Sequence, residues 1–274
     1  MAHNFGIDFF IYEWYFNALV SPGGENLNSA LQITSTLPDR HGMQFAMMYV
    51  SGGPFYVDAS NWTSAVNEWV GYMTDRDYFR VNGKPLFIVD NVGATRAAFG
   101  SPSAVQAALQ QLRNAAVAQG LPGVYIVGGF GVPDGTIGQS SLSPGFSIAG
   151  QDGFDAIAFL GYPFAQPPIN GMRPFSDLSA AGHWTWDQAA LISPLPFIPT
   201  AMDGWDPRPW DERASTGELM WYNRTHKKLR RSSATQSLGQ IPTHSCALSL
   251  HPFHQLSSSH PGMKWEKEIT CSLP

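Results

Sequence analysis

Six short apolar runs, spread over the first 205 residues, constrain the fold of this chain more than any other feature. The runs are nearly continuous rather than alternating, which is typical of strands that are buried on both faces. They are GIDFFIYEW (6–14), MQFAMMYV (43–50), PLFIVD (85–90), GVYIVGG (123–129), FDAIAFLGY (154–162) and FIPTAMDGW (197–205). These runs predict six strands of a parallel sheet.

Helical patterns separate several of these runs. After Asn61, an N-cap candidate, apolar residues recur at helical spacing from Trp62 to Met73. Ser101 and Pro102 begin a second pattern that Gly120 ends, and a weaker one covers about residues 176–191. The Asn-Gly pair at 82–83 predicts a tight turn.

Strands that alternate with helices favour a parallel sheet with helical crossovers. Two architectures fit, a doubly wound open sheet and a (β/α)8 barrel. The glycine-rich stretch GGFGVPDG (128–135) lacks the spacing of a dinucleotide-binding fingerprint and leads into no helical pattern. Polar and aromatic residues recur where the predicted strands end, as they do in barrel enzymes. We therefore predict an α/β fold, a (β/α)8 TIM-type barrel that is incomplete because only six strands are recognisable.

The composition changes abruptly near His226. Residues 1–224 carry a net charge of −9 and residues 225–274 a net charge of +4, and five of the eight histidines lie in this last part. We predict a partial barrel domain over residues 1–225 and a disordered or aberrant tail over residues 226–274, called the tail below. Its residues could bind metal or anions, or they could derive from an altered reading frame or an unspliced intron, which the composition favours.

Several classes of protein fit the sequence poorly. The acidic main body argues against a nucleic-acid partner, and no run of about 18 apolar residues predicts a membrane span. The start, MAHNFGIDFF, has no signal-peptide pattern. The body histidines His3, His41 and His183 lack metal-ligand spacing, so we expect neither a metal nor another cofactor. The compartment and the oligomeric state are left open.

Carboxylates at predicted strand ends are the candidates for chemistry. Glycoside chemistry uses two carboxyl groups that flank the scissile bond, together with aromatic platforms for sugar rings. Glu13 lies in YEWYFN, and such apolar surroundings favour the neutral carboxyl group of a general acid. It could equally accept hydrogen bonds from neighbouring loops. Asp90 could orient substrate hydroxyls or simply form a turn.

Asp203 and Asp206 follow the sixth run, in the stretch IPTAMDGWDPRPW. Both could bind sugar hydroxyls. Asp206 precedes a proline and could instead form a turn, and Arg208 is an obvious partner for either carboxylate.

Five stretches, in order, resemble glycoside hydrolase family 99-like proteins, also called the WbsX-like, polysaccharide-associated group. They are GIDFFIYEWYFN, DRDYFRVNGKPLFIVDN, GFDAIAFLGYP, PTAMDGWDPRPW and ELMWYNRT, and the similarity covers about residues 4–225. The resemblance implies a (β/α)8 barrel that acts on glycans. The characterised hydrolases of this family are retaining endo-acting α-mannosidases, and other members have been labelled either hydrolases or glycosyltransferases.

The sequence departs from the family pattern at the catalytic residues. The family carries its catalytic carboxylates in an Asn-Glu-Trp-x-Glu-Gly type motif at the end of the last strand, and this chain has no such motif. In NEWV (67–70), Glu68 is predicted in mid-helix, on the face opposite Trp62 and Val66. The first barrel strand also lacks a counterpart. No catalytic glutamate carries over, and Glu13 and Asp203 remain as the catalytic candidates.

The expected function follows from the resemblance. We expect a glycoside hydrolase-like protein that acts on or binds an oligosaccharide or polysaccharide, endo-α-mannosidase-like and with impaired catalysis. Alternatives are a non-catalytic carbohydrate-binding remnant, a glycosyltransferase-like protein of polysaccharide biosynthesis, or a truncated product that does not fold stably. The predicted substrate-binding residues are Glu13, Trp14, Tyr49, Asp90, Tyr162, Asp203, Trp205, Asp206 and Arg208.

Overall fold

The structure, a computed structural model, describes residues 6–18, 26–130, 142–160, 172–202, 221–223, 246–252 and 265–271. Its strands are β1 (Phe9–Trp14), β2 (Gln44–Tyr49), β3 (Arg80–Val81), β4 (Lys84–Val89), β5 (Tyr125–Phe130), β6 (Ala156–Phe159), β7 (Met172–Pro174), β8 (Phe197–Ile198), β9 (Thr200–Met202), β10 (Trp221–Asn223), β11 (Cys246–Pro252) and β12 (Trp265–Cys271). Its helices are α1 (Ser29–Thr36), α2 (Trp62–Met73), α3 (Val92–Phe99), α4 (Pro102–Ala118), α5 (Leu142–Asp152) and α6 (Phe175–Ile192).

A parallel sheet forms the centre of the fold. Its strands follow the order β1-β2-β4-β5-β6-β8, and helices lie between successive strands along most of the chain. All six apolar runs form strands, the last of them as β8 and β9 on either side of Pro199. The predicted fold class, an incomplete (β/α)8 barrel, is confirmed.

The sheet continues past β1 through two strands of the tail. The hairpin of β11 and β12 pairs antiparallel to β1, and β11 also pairs parallel to β9. The hydrogen-bonded path runs from β8 to β9 without closing into a cylinder. These two strands are a small part of residues 226–274, so the disordered or aberrant character of the tail stays a prediction.

The two strongest helical patterns are confirmed residue by residue. The buried residues of α2 are the six of the predicted apolar stripe: Trp62, Ala65, Val66, Trp69, Val70 and Met73. In α4 the buried residues are Val105, Ala108, Leu109, Leu112 and Ala116, and the Ser101 hydroxyl accepts a hydrogen bond from the N–H of Ala104 at 3.2 Å. The predicted turn is present, since Asn82 and Gly83 have φ angles of 50° and 79° and join β3 to β4.

The N-terminus of α2 differs from the prediction in one detail. Asn61 occupies the N-cap position, but its side chain makes no capping hydrogen bond. It donates instead to Asp58 at 3.0 Å, and the same Asp58 oxygen accepts from the N–H of Ser60 at 2.9 Å. Asp58 therefore organises the turn before the helix, because its carboxylate accepts from both the Asn61 side chain and the Ser60 backbone.

An aromatic cluster holds the sheet against α2. The rings of Trp14, Tyr49, Trp62, Trp69 and Phe87 contact one another at centroid distances between 4.8 and 6.3 Å. These rings come from β1, β2, β4 and α2, so the cluster fixes the carboxyl ends of three neighbouring strands. Within the described residues, none of the helices combines the length and apolarity that crossing a bilayer requires.

Candidate functional site

Polar side chains meet at the carboxyl ends of β1, β2 and β4. Trp14 faces α2, because its ring lies 5.1 Å from that of Trp69. Successive strand residues point to opposite faces, so Glu13 lies on the other face of the sheet, called the inner face below. Phe87 of β4 also faces Trp69, at 4.8 Å. Asp90, three residues further along and still bonded to β2 through its backbone N–H at 3.0 Å, therefore belongs to the inner face too.

The two predicted carboxylates are thus brought to the same edge of the sheet. Glu13 ends β1 and Asp90 follows β4, and β2 lies between these strands. Strands in a sheet are about 4.8 Å apart, so the two backbones are about 10 Å apart. Both residues are partly exposed. This placement agrees with the expectation that chemistry gathers at the carboxyl ends of the strands.

Tyr15 is a hydrogen-bond partner of Glu13. Its hydroxyl donates a hydrogen bond to a carboxylate oxygen of Glu13. Burial raises the pKa of Tyr15 above its usual range, and the negative charges of Glu13 and Asp90 raise it further. The phenol is therefore neutral at physiological pH and keeps its proton as a donor to Glu13.

Asn28 fixes the backbone of Tyr15. Its side-chain oxygen accepts from the Tyr15 N–H at 2.8 Å, and its amide donates to the Tyr15 carbonyl at 2.9 Å. Asn28 is itself buried at the start of α1. On the other side, Phe55 packs edge-on against the Tyr15 ring at 4.9 Å. These contacts set the direction in which the phenol can approach Glu13.

Ser51, the second residue after β2, holds Asp90 through two hydrogen bonds. The hydroxyl and the backbone N–H of Ser51 both donate to the same Asp90 oxygen, each at 2.7 Å. The neighbouring Asn91 caps α3, since its side-chain oxygen accepts from the N–H of Ala94 at 2.9 Å. Asn91 thus caps the helix. Asp90, for which the sequence left a role in a turn open, points to the inner face.

Trp14 and Tyr49 were predicted to contact the substrate, and the structure places both in the core. Each side chain is only 2% exposed. The Trp14 indole N–H donates to Glu68 of α2 at 2.9 Å, and the Tyr49 hydroxyl accepts from the N–H of Val57 at 2.6 Å. Their polar atoms therefore serve the protein's own packing. The two rings pack beneath the strand ends, on the face of the sheet that α2 covers.

The other predicted site residues are Tyr162, Asp203, Trp205, Asp206 and Arg208, and they lie outside the described residues. Their role in binding stays a prediction. Tyr15 and Ser51 belong to the polar and aromatic residues at the ends of predicted strands, but sequence reasoning assigned neither of them a role in the site. Their partners were not visible, since Ser51 is 39 residues from Asp90. Among the described residues, no group of three or more His, Cys, Asp or Glu side chains is arranged to hold a metal ion.

Comparison with solved structures shows where this fold occurs elsewhere. The chain is similar to a glycoside hydrolase-like protein with a TM-score of 0.53 and 16% identity, over 87% of this chain and 70% of that protein. The spore cortex-lytic enzyme SleL of Bacillus megaterium QM B1551 is more distant, with a TM-score of 0.36 and 9% identity over 89% of this chain and 52% of that enzyme. No family model matches the sequence, and no curated protein matches it. The chain therefore shares its fold with the first of these proteins, and the resemblance to family 99 in particular stays a prediction.

Proposed function

We propose that this chain binds a glycan at the carboxyl ends of β1, β2 and β4 and hydrolyses it slowly or not at all. The observation that carries the proposal is the placement of Glu13 and Asp90 on one inner face, partly exposed, in a glycoside hydrolase-like fold. Sugar hydroxyls are hydrogen-bond donors and acceptors, and a carboxylate accepts strongly from them.

The hydrogen bonds within the site support binding more than catalysis. Each carboxylate already accepts from a hydroxyl of the protein, Glu13 from Tyr15 and Asp90 from Ser51. Such bonds fix the direction of the carboxylates, which lowers the entropic cost of holding a polyol. The family's catalytic Asn-Glu-Trp-x-Glu-Gly motif is absent from the sequence, and this supports impaired catalysis.

The proposal is tested with isosteric variants of the two carboxylates. Glu13→Gln and Asp90→Asn keep an oxygen that accepts from Tyr15 or Ser51 but remove the negative charge. A hydrogen bond to a charged group contributes about 1 to 1.5 kcal/mol more than one between neutral groups, so each variant should bind α-linked mannose oligosaccharides roughly 5- to 15-fold more weakly. Isothermal titration calorimetry measures the affinity.

Asp39→Asn is the matched control, because the Asp39 side chain is 67% exposed and bonds only its neighbour His41 among the described residues. It should bind as the unmodified protein does. Unchanged affinity in both site variants would contradict the proposal. So would the absence of glycan binding by the unmodified protein. Cleavage of α-mannosides at a normal enzymatic rate would contradict the proposed impairment of catalysis but not the proposed glycan binding.

A further inference from the structure

A groove of about 480 Å³ opens beside the bond between Ser51 and Asp90. The segment from Ser51 to Tyr56 forms one wall and α3 the other. The lining residues are Ser51, Gly52, Gly53, Tyr56, Ala94, Ala97 and Ala98. Because Ser51 both lines the groove and donates to Asp90, the groove lies next to the Asp90 side of the candidate glycan site.

Tyr56 is unusual among the aromatic residues of this region. Its side chain is 49% exposed, whereas the rings of the aromatic cluster beneath it are buried. Among the described residues, no side chain or backbone group makes a hydrogen bond with its hydroxyl. An exposed aromatic ring keeps apolar surface in contact with water. A ligand that covers the ring removes this surface from water, which favours binding.

The neighbours of Tyr56 anchor the backbone at this position. Phe55, on one side, packs against Tyr15 at 4.9 Å. Val57, on the other side, is fully buried, and its N–H donates to the Tyr49 hydroxyl at 2.6 Å. Because the segment is held on both sides, a ligand that binds the Tyr56 ring does not have to order the backbone, which favours affinity.

Both walls leave space for a ring. On the opposite wall Ala94 and Ala97 present only methyl groups from α3, and on the wall of Tyr56 a Cβ atom added at Gly52 or Gly53 would meet nothing within 4 Å. A sugar ring presents a face of C–H groups as well as hydroxyls. The aromatic face of Tyr56 matches the former, and the adjoining carboxylate of Asp90 matches the latter.

We propose that Tyr56 stacks against a second sugar unit of the glycan, next to the unit that Glu13 and Asp90 bind. The inference rests on the proposed function and adds to it a ligand class, namely an oligosaccharide of at least two units. Longer ligands should bind more tightly than a monosaccharide because they fill both the carboxylate site and the groove.

The test compares ligands of different length in groove variants. Tyr56→Ala removes the platform, and Ala97→Trp fills the groove from the exposed face of α3. Each should weaken binding of an α-linked mannotriose roughly fivefold, as expected for the loss of one aromatic contact, and leave the weak binding of methyl α-mannoside unchanged. Ligand-detected NMR titration measures both affinities.

Two controls separate the contact from general effects. Tyr56→Phe keeps the ring and should bind mannotriose nearly as the unmodified protein does. Val117→Trp adds the same bulk at an exposed residue near the end of α4. This helix leads to the amino ends of the parallel strands, away from the groove, so the variant should leave both affinities unchanged. Thermal melting checks that every variant is folded.

The outcomes distinguish this inference from the proposal on which it rests. If the unmodified protein binds mannotriose and Tyr56→Ala and Ala97→Trp bind it equally well, the groove inference is wrong and the carboxylate site stands. If the unmodified protein binds neither sugar, both are wrong. A selective loss of mannotriose affinity in both variants supports the second sugar position.

Discussion

Tyr15 and Tyr49 show how the fold assigns opposite roles to the same functional group. The Tyr15 hydroxyl donates to Glu13, and the Tyr49 hydroxyl accepts from the N–H of Val57. Burial raises the pKa of Tyr49 to about 12; the Val57 bond opposes this and the negative charge of Asp90 adds to it. Removal of its proton therefore destabilises the folded state relative to the unfolded one.

This shift predicts how stability depends on alkaline pH. The folded-state pKa of Tyr49 lies above the ordinary 10.0, so its contribution is complete below pH 10 and is lost as the pH rises through about 12. Over that window Tyr49 should add about 1.4 kcal/mol per pH unit to the fall in the free energy of unfolding. Urea unfolding at pH 9, 10 and 11 measures it.

Tyr49→Phe should lack this part of the slope. At pH 8 it should also be about 1 kcal/mol less stable, because the Val57 N–H loses its acceptor. Tyr56→Phe, at a half-exposed position, serves as the control. An identical pH slope in Tyr49→Phe and the unmodified protein would contradict the prediction.

The helices differ in how visibly the sequence encodes them. Five buried apolar residues in α4 repeat at helical spacing, whereas α1 buries only Leu31 and α3 only Val92 and Thr95. Short helices with so few buried positions produce no period that a sequence can reveal. They form because the sheet lies beside them, and α3 still matters because it forms a wall of the groove.

The N-terminus of α4 allows a test at this scale. Ser101→Ala removes the side-chain oxygen that accepts from the N–H of Ala104. The loss of such a cap typically destabilises a protein by about 1 kcal/mol. Thermal and urea unfolding should show this loss. Ser64→Ala, at an exposed position in the first turn of α2, should have a much smaller effect. Equal stability of the two variants would mean that the cap contributes nothing.

One side of the sheet depends on the tail. Without the hairpin of β11 and β12, β1 would lack a partner on one side and β9 would lose the strand partner that the structure describes for it. Unpaired edges expose N–H and C=O groups and favour aggregation. The tail thus takes part in the sheet even though its composition differs from that of the body.

Deletion of residues 226–274 tests this role. The amides of Phe9 and Ile11, which face β12 while the alternate residues of β1 face β2, should then exchange with deuterium faster, and the protein should aggregate more readily. Amides of β4, an interior strand, provide the internal control. Unchanged exchange and solubility would contradict the pairing and favour the disordered or aberrant tail that the composition predicts.

The sequence by itself determined the strands of the parallel sheet and the helices α2 and α4. A run such as MQFAMMYV is apolar throughout, and the stripe from Trp62 to Met73 has a helical period, because burial imposes a pattern on neighbouring residues. The two carboxylates of the site, Glu13 and Asp90, were also visible, since strand ends are local features.

Only the tertiary structure decided what surrounds those carboxylates. Ser51 reaches Asp90 across 39 residues of sequence and Trp14 reaches Glu68 across 54. Both contacts depend on strand order and on the side of the sheet that α2 covers. Likewise, Tyr49 became a core residue and Tyr56 an exposed one. Local patterns specify which segments are buried, but the long-range packing of these segments determines which side chains meet.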